Sequence, residues 1–284
     1  MKKYFLKDLG KQEIKSLISR ETIQFDKTLD IVRQIEQDVI NKGDQCLKEL
    51  TEKFDGINLD KIRIDKNEIQ NSSKLVEQEL KDAIKKAFVC IKKFHENQLQ
   101  KEPKVETEEG VNCWREARAI SDVGFYIPSG TAPLFSTVLM LGVPALIAGS
   151  RRIVVCTPPP VAPEILYACK ILDIDEVYQV GGAQAIFAMT YGTDEISKVD
   201  KIFGPGNRFV SCAKALASSK VAIDMIAGPS EVLVIADNDS NPSFVASDLL
   251  SQAEHGADSQ SVLVCLNEDK ADQIIKEAYK QLEA

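Results

Sequence analysis

The stretch RRIVVCTPPPVAPEILYACKILDIDEVYQVGG, residues 151–182, decides the fold class. Arg152–Cys156 is a compact β-branched run, Pro163–Leu172 has helical character, and Glu176–Val180 is strand-like again before a pair of glycines. Strand, helix and strand in that order make a βαβ unit, the crossover that two parallel strands require. The unit recurs downstream. Lys201–Phe203 leads through GPGN into a helix and then a strand at Val221–Ile223; Val232–Ala236 is followed by a helix over about Pro242–Glu254 and a strand at Ser261–Cys265. The series predicts an α/β protein of open parallel sheets with flanking helices, arranged as incomplete Rossmann-like lobes.

Upstream the character differs. Up to about residue 100 the chain is charged and helical, with Leu47, Leu50 and Phe54 at helical spacing, and likewise Leu80, Ile84, Ala87, Phe88, Ile91 and His95. Asp55-Gly56 is a turn signal that ends the helix begun near Asp44. KEPKVETEEG, residues 101–110, reads as a polar link. These changes divide the chain into a helical arm over 1–104, a first α/β lobe over 105–228 and the start of a second lobe over 229–284. The last segment, EDKADQIIKEAYKQLEA, is an amphipathic helix with no strand after it.

Composition excludes several classes of function. With 44% hydrophobic and 27% charged residues and a formal charge of −8, the 284 residues suit an ordinary globular protein. The 43 acidic residues outnumber 35 basic ones, and no basic stripe interleaved with aromatics suggests nucleic acid. The start MKKYFLKDLGKQEIK breaks its apolar run too early for a signal peptide, and no window is apolar enough to span a bilayer. Seven cysteines, odd in number and never in a C-x-x-C pair, indicate reduced thiols and a cytoplasmic location.

Three glycine-bearing loops follow strands and lead into helices. The first, GFYIPSGTAPLFST (124–137), contains Tyr126, whose ring offers a stacking face and whose hydroxyl offers a hydrogen bond. The second, VGGAQAI (180–186), places Gln184 in the first turn of a helix. The third, FGPGNRFV (203–210), sets Asn207 at an N-cap position, which is as good a reason for an asparagine there as any ligand. The first loop alone reads equally as turn geometry and the other two more readily so, but together they converge on one edge of one sheet and point to a nucleotide-like ligand. None fits G-x-G-x-x-G with a downstream acid. A fourth candidate is the segment DLLSQAEHGADSQ (248–260), where Gln252 and His255 stand three apart on one helical face and so can reach one metal ion, or serve only as a cap or surface pair. Ser230, before the preceding strand, faces the same cleft or finishes a turn. His95 shares a face with Phe88 and Ile91 and reads as a packing histidine.

KFDG, the FHE of 94–96, GFYIPSGTAPLFSTVLM, PPP, VGGAQAI, KVDKIFGPGN and AIDM-x-AGPSEVLVIAD with SDLLSQAEHG together resemble the histidinol dehydrogenase family, from about residue 20 to the end. The resemblance implies a homodimeric enzyme that oxidises L-histidinol through the aldehyde to L-histidine, with NAD and Zn2+ as cofactors. It implies NAD contacts at Tyr126, Gln184 and Asn207, and substrate contacts at Ser230, Gln252 and His255, with Gln252 and His255 also ligating zinc. It places the general-base histidine, its neighbouring glutamate and the other zinc ligands beyond Ala284, so no catalytic residue is assigned within this chain. Ser129 departs from the glycine usual at its position. A non-catalytic, truncated paralogue that binds or dimerises is the alternative.

Overall fold

The computed structural model describes residues 1–18, 25–99, 103–128, 133–226, 231–254 and 259–283. In chain order, helices α1 (Lys11–Ile18), α2 (Phe25–Lys42), α3 (Asp44–Asp55), α4 (Lys66–Asn71) and α5 (Gln78–Glu96) precede a ribbon of β1 (Val105–Glu108) and β2 (Val111–Cys113). Alternation follows: β3 (Asp122–Tyr126), α6 (Phe135–Ala148), β4 (Arg152–Thr157), α7 (Pro163–Ile171), β5 (Glu176–Gln179), α8 (Gly182–Tyr191), β6 (Lys201–Phe203), α9 (Arg208–Ala217) and β7 (Ala222–Ile223). The chain continues through β8 (Glu231–Ala236), α10 (Pro242–Ala253), β9 (Gln260–Cys265) and α11 (Glu268–Leu282).

Contacts divide these elements into two units, one of residues 24–227 and one combining 1–23 with 228–284. In the larger unit β3 to β7 form a wholly parallel sheet in the order β5-β4-β3-β6-β7. Successive side chains on a strand point to opposite faces, and the cores follow that rule. Val154 and Cys156 join one cluster with α2, α3, α8 and α9; Ile153 and Val155 join another with α4, α5, α6 and α7. The helices expected as an arm are therefore divided: those from α2 onward share the cores of this sheet, while residues 1–23 group with the other unit. The outer edge of β5 is covered by Ile62–Ile64, since Gln179 N donates to Ile62 O at 2.9 Å and Ile64 N to Val177 O at 2.9 Å. That pairing removes an open sheet edge.

The polar link of 101–110 differs from expectation in its second half. Val105–Glu108 pairs antiparallel with Val111–Cys113 across a turn at Gly110. Both strands are exposed, so the ribbon lacks the apolar block that would betray it, and only the alternation in Val105-Glu106-Thr107-Glu108 hints at period two.

In the smaller unit β8 and β9 pair in parallel, and Ala236, Val245, Leu249 and Ile274 form its core with Val232, Val234 and Leu263. The amino-terminal residues bind there: Lys3 reaches Glu268 at 3.0 Å and Asp272 at 2.7 Å, and Gln260 Nε2 donates to Leu17 O at 3.0 Å.

Candidate functional site

The strand order of the larger sheet reverses direction between β3 and β6. Ligands of open α/β sheets bind outside the carboxyl ends of strands at such a reversal. Tyr126 ends β3 at that point and ties together two of the glycine-bearing turns. Its hydroxyl accepts a hydrogen bond of 3.1 Å from Gly182 N at the start of α8. Its carbonyl backs onto Gly204, where φ is +121° and an added Cβ would stand 2.1 Å from that oxygen. Only glycine lets the chain leave β6 so close to the end of β3.

Tyr126 is 3% exposed, so the ring offered by the sequence as a stacking face is packed in the core. Burial pushes its hydroxyl up to about 12, with the Gly182 hydrogen bond opposing the shift and the charge of Asp55 adding to it. Gln184 is also buried, and its carboxamide folds back over the preceding turn: a Cβ on Gly182, where φ is +68°, would meet its Oε1 at 2.6 Å. Asn207 is exposed and caps α9, its Oδ1 accepting from Phe209 N at 3.0 Å and Val210 N at 3.1 Å. The structural role foreseen for it is real, and it satisfies two of the donors that a helix amino-terminus leaves open.

Ser230 and His255 lie outside the described residues, as do Ser129 and Gly130. Gln252 sits in the last turn of α10, with Nε2 donating to Ser259 Oγ at 3.2 Å; Oε1 is the atom it would offer a cation. Among the described residues no group of three His, Cys, Asp or Glu is placed to hold a metal ion. His95 is half-buried, with Nδ1 2.7 Å from Gln98 Oε1 and its ring edge-on to Phe94 at 5.1 Å.

Two features escape a reading of the sequence. Asp55 reads there only as a helix-ending residue, yet burial raises its carboxyl above the usual range and its charge is felt by Tyr126. Lys214 and Asp224 form an ion pair beneath the turn after β6. A signal for Lys214 exists, because it falls on the stripe Val210, Lys214, Ala217 that α9 otherwise fills with small and apolar residues.

Sheet order, the reversal and the joined turns define the chain as an α/β protein of the doubly wound kind, with its candidate site at the carboxyl edge of the sheet. The sequence profile of the histidinol dehydrogenase family matches residues 18–284. The chain is 52% identical over 266 residues to the histidinol dehydrogenase of Mannheimia succiniciproducens, covering 92% of this chain and 62% of that protein. With the Haemophilus influenzae enzyme it shares 50% over 276 residues, 96% of this chain and 65% of the other. A crystal structure of histidinol dehydrogenase from Elizabethkingia anophelis superposes with a TM-score of 0.87 at 50% identity, over 97% of this chain and 65% of that one. The chain belongs to the histidinol dehydrogenase family. It spans rather less than two thirds of the length of these relatives, and the matches give no support to a non-catalytic paralogue over an enzyme. Among the described residues no helix is long and apolar enough to cross a membrane.

Proposed function

We propose that this polypeptide supplies the NAD-binding part, and some of the zinc and substrate ligands, of a cytoplasmic, homodimeric enzyme that oxidises L-histidinol to L-histidine. The observation that carries the reading is the meeting of the ends of β3, β5 and β6 at Tyr126, through the Gly182 hydrogen bond and the close approach of Gly204. Backbone brought that near, with an exposed amide at Asn207 beside it, suits a dinucleotide held at the strand ends. In this reading Tyr126, Gln184 and Asn207 take NAD. Tyr126 acts largely by shape: its buried hydroxyl fixes the Gly182 turn under the cofactor. Ser230, Gln252 and His255 hold histidinol, and the last two also serve zinc, for which a carboxamide oxygen and an imidazole nitrogen are suitable donors. When bound, NAD accepts hydride and zinc holds the substrate in place by its charge.

Alcohol to acid is two successive oxidations, alcohol to aldehyde and then, once water has added to the aldehyde, hydrate to acid; each passes a hydride to one NAD and releases a proton, and the proton needs a base. The family motifs assign that base to none of these residues; of the two histidines here, His95 is engaged with Gln98 and Phe94 and His255 is assigned to zinc. The 284 residues alone therefore bind NAD without turnover. The test is nicotinamide absorbance with purified chain, L-histidinol and NAD, with and without added zinc, alongside calorimetric NAD binding. Binding without reduction is the expected result. Zinc-dependent reduction would mean that a base lies within these residues, and absence of NAD binding by a folded chain would overturn the assignment of the turns.

A further inference from the structure

The turn after β6 is held by two charged side chains that the proposed contacts with cofactor and substrate do not use. Lys214 is 2% exposed, and its ammonium donates to Gly204 O at 2.9 Å while pairing with Asp224 Oδ1. Asp224, just past β7, holds the other half of the same residue: its Oδ2 accepts from Gly204 N at 2.9 Å. Its Oδ1 also accepts from Met225 N at 2.6 Å, and its own N–H donates to Ile202 O at 3.1 Å. Both main-chain polar groups of Gly204 thus end on one ion pair. That pair is anchored at α9 on one side and at the end of β7 on the other.

Burying an ammonium is costly, and well-packed apolar residues often stabilise a core as much as an ion pair does. An apolar pair at these positions would leave Gly204 N–H and C=O without partners at the point where the chain passes Tyr126. Gly204 opens the segment Gly204-Pro205-Gly206-Asn207, so its orientation sets where Asn207 stands. We infer that Lys214 and Asp224 are positioning residues: they fix Gly204, and through it Asn207, for the nicotinamide cofactor without touching it. This rests on the NAD reading above.

Lys214→Met alone leaves the Asp224 charge stranded, so the decisive variant is Lys214→Met/Asp224→Asn, in which the carboxamide oxygen at position 224 still accepts from Gly204 N–H. Three readouts are taken on the full chain: thermal midpoint, amide hydrogen exchange over residues 203–210, and NAD affinity by calorimetry. The expected result is a retained fold, faster exchange in the turn, and NAD binding weakened roughly 10- to 100-fold, by analogy with the loss when the groups that orient a metal ligand are removed. Ile84→Val, a core change away from the turn, controls for stability and keeps wild-type affinity. Unchanged NAD affinity in the folded double variant overturns the inference, whether or not the turn exchanges faster. Should the double variant not fold, Lys214→Gln/Asp224→Asn, which keeps a donor at position 214 while removing both charges, is read in the same way. If the wild-type chain takes up no NAD, the cofactor reading falls and the positioning role falls with it.

Discussion

The sheet of the larger unit is covered on both faces, whereas the β8–β9 pair is covered on one. In the larger unit alternate residues of every central strand enter one core or the other, and the Ile62–Ile64 segment closes an edge. In the smaller unit Val232, Val234 and Leu263 pack under α10 and α11, while Leu233 and Ile235 stand 57% and 69% exposed on the opposite face. Yet RIVVC and VLVIA are nearly the same kind of strand. The difference lies in segments remote along the chain, since α2, α3 and α5 supply much of the cover in the larger unit. Parallel strands are ordinarily buried on both faces, and a two-stranded sheet has little stability of its own. Stability should therefore be concentrated in residues 24–227, and each of the following substitutions or conditions tests that contrast.

Gly204→Ala has the largest expected effect. The added Cβ would sit 2.1 Å from Tyr126 O at a φ of +121°, and strain against backbone at such a position costs about 3 kcal/mol or more. The urea midpoint of the larger unit should fall steeply while amide protection in α10 and α11 stays as it was. A wild-type midpoint would mean that the turn after β6 contributes nothing to the better-covered unit.

Alkaline pH should act next most strongly, and on the same unit. Burial raises the hydroxyls of Tyr126, Tyr178 and Tyr191 to about 12. A raised folded value means the unfolded chain loses its protons first, so this stability is complete below pH 10 and falls as pH climbs from about 10 through 12. For the fully buried Tyr126 the loss is on the order of 2 kcal/mol. The part of the tyrosinate absorbance that Tyr126→Phe removes should appear together with unfolding of the larger unit, and that substitution should flatten the alkaline limb at a cost of about 1 kcal/mol at neutral pH from the lost Gly182 hydrogen bond. Ionisation well before unfolding would show that the hydroxyls are accessible.

Much of this architecture is legible in the sequence because it is local. The βαβ runs, the Asp55-Gly56 stop and the Asn207 cap are written in spacing and turn residues. The candidate site is legible in part: the three turns can be placed on one sheet edge, but not the bond between Tyr126 and Gly182, which joins residues 56 apart. Tyr126 looks like a stacking platform because nothing in GFYIPSG reveals that its ring will enter the core that also takes Cys156, its partner on β4. Asp55 and Asp224 escape for the same reason, since each gains its role only when a distant strand end arrives beside it. Ser230 and His255 lie outside the described residues, and their roles stand on the family motifs.

The smallest effect on stability should come from the bare face of β8. Leu233→Thr with Ile235→Thr keeps β-compatible side chains on the strand while removing apolar surface that is more than half exposed at both positions. Substitutions at exposed positions seldom move stability by more than about 0.5 kcal/mol, so the thermal midpoint should hold. Self-association, followed by light scattering at rising protein concentration, should decrease, because exposed apolar patches drive it. A midpoint that drops by several degrees would show instead that Leu233 and Ile235 are covered in solution. The smaller unit would then be as fully packed as the larger, and the contrast between them would vanish.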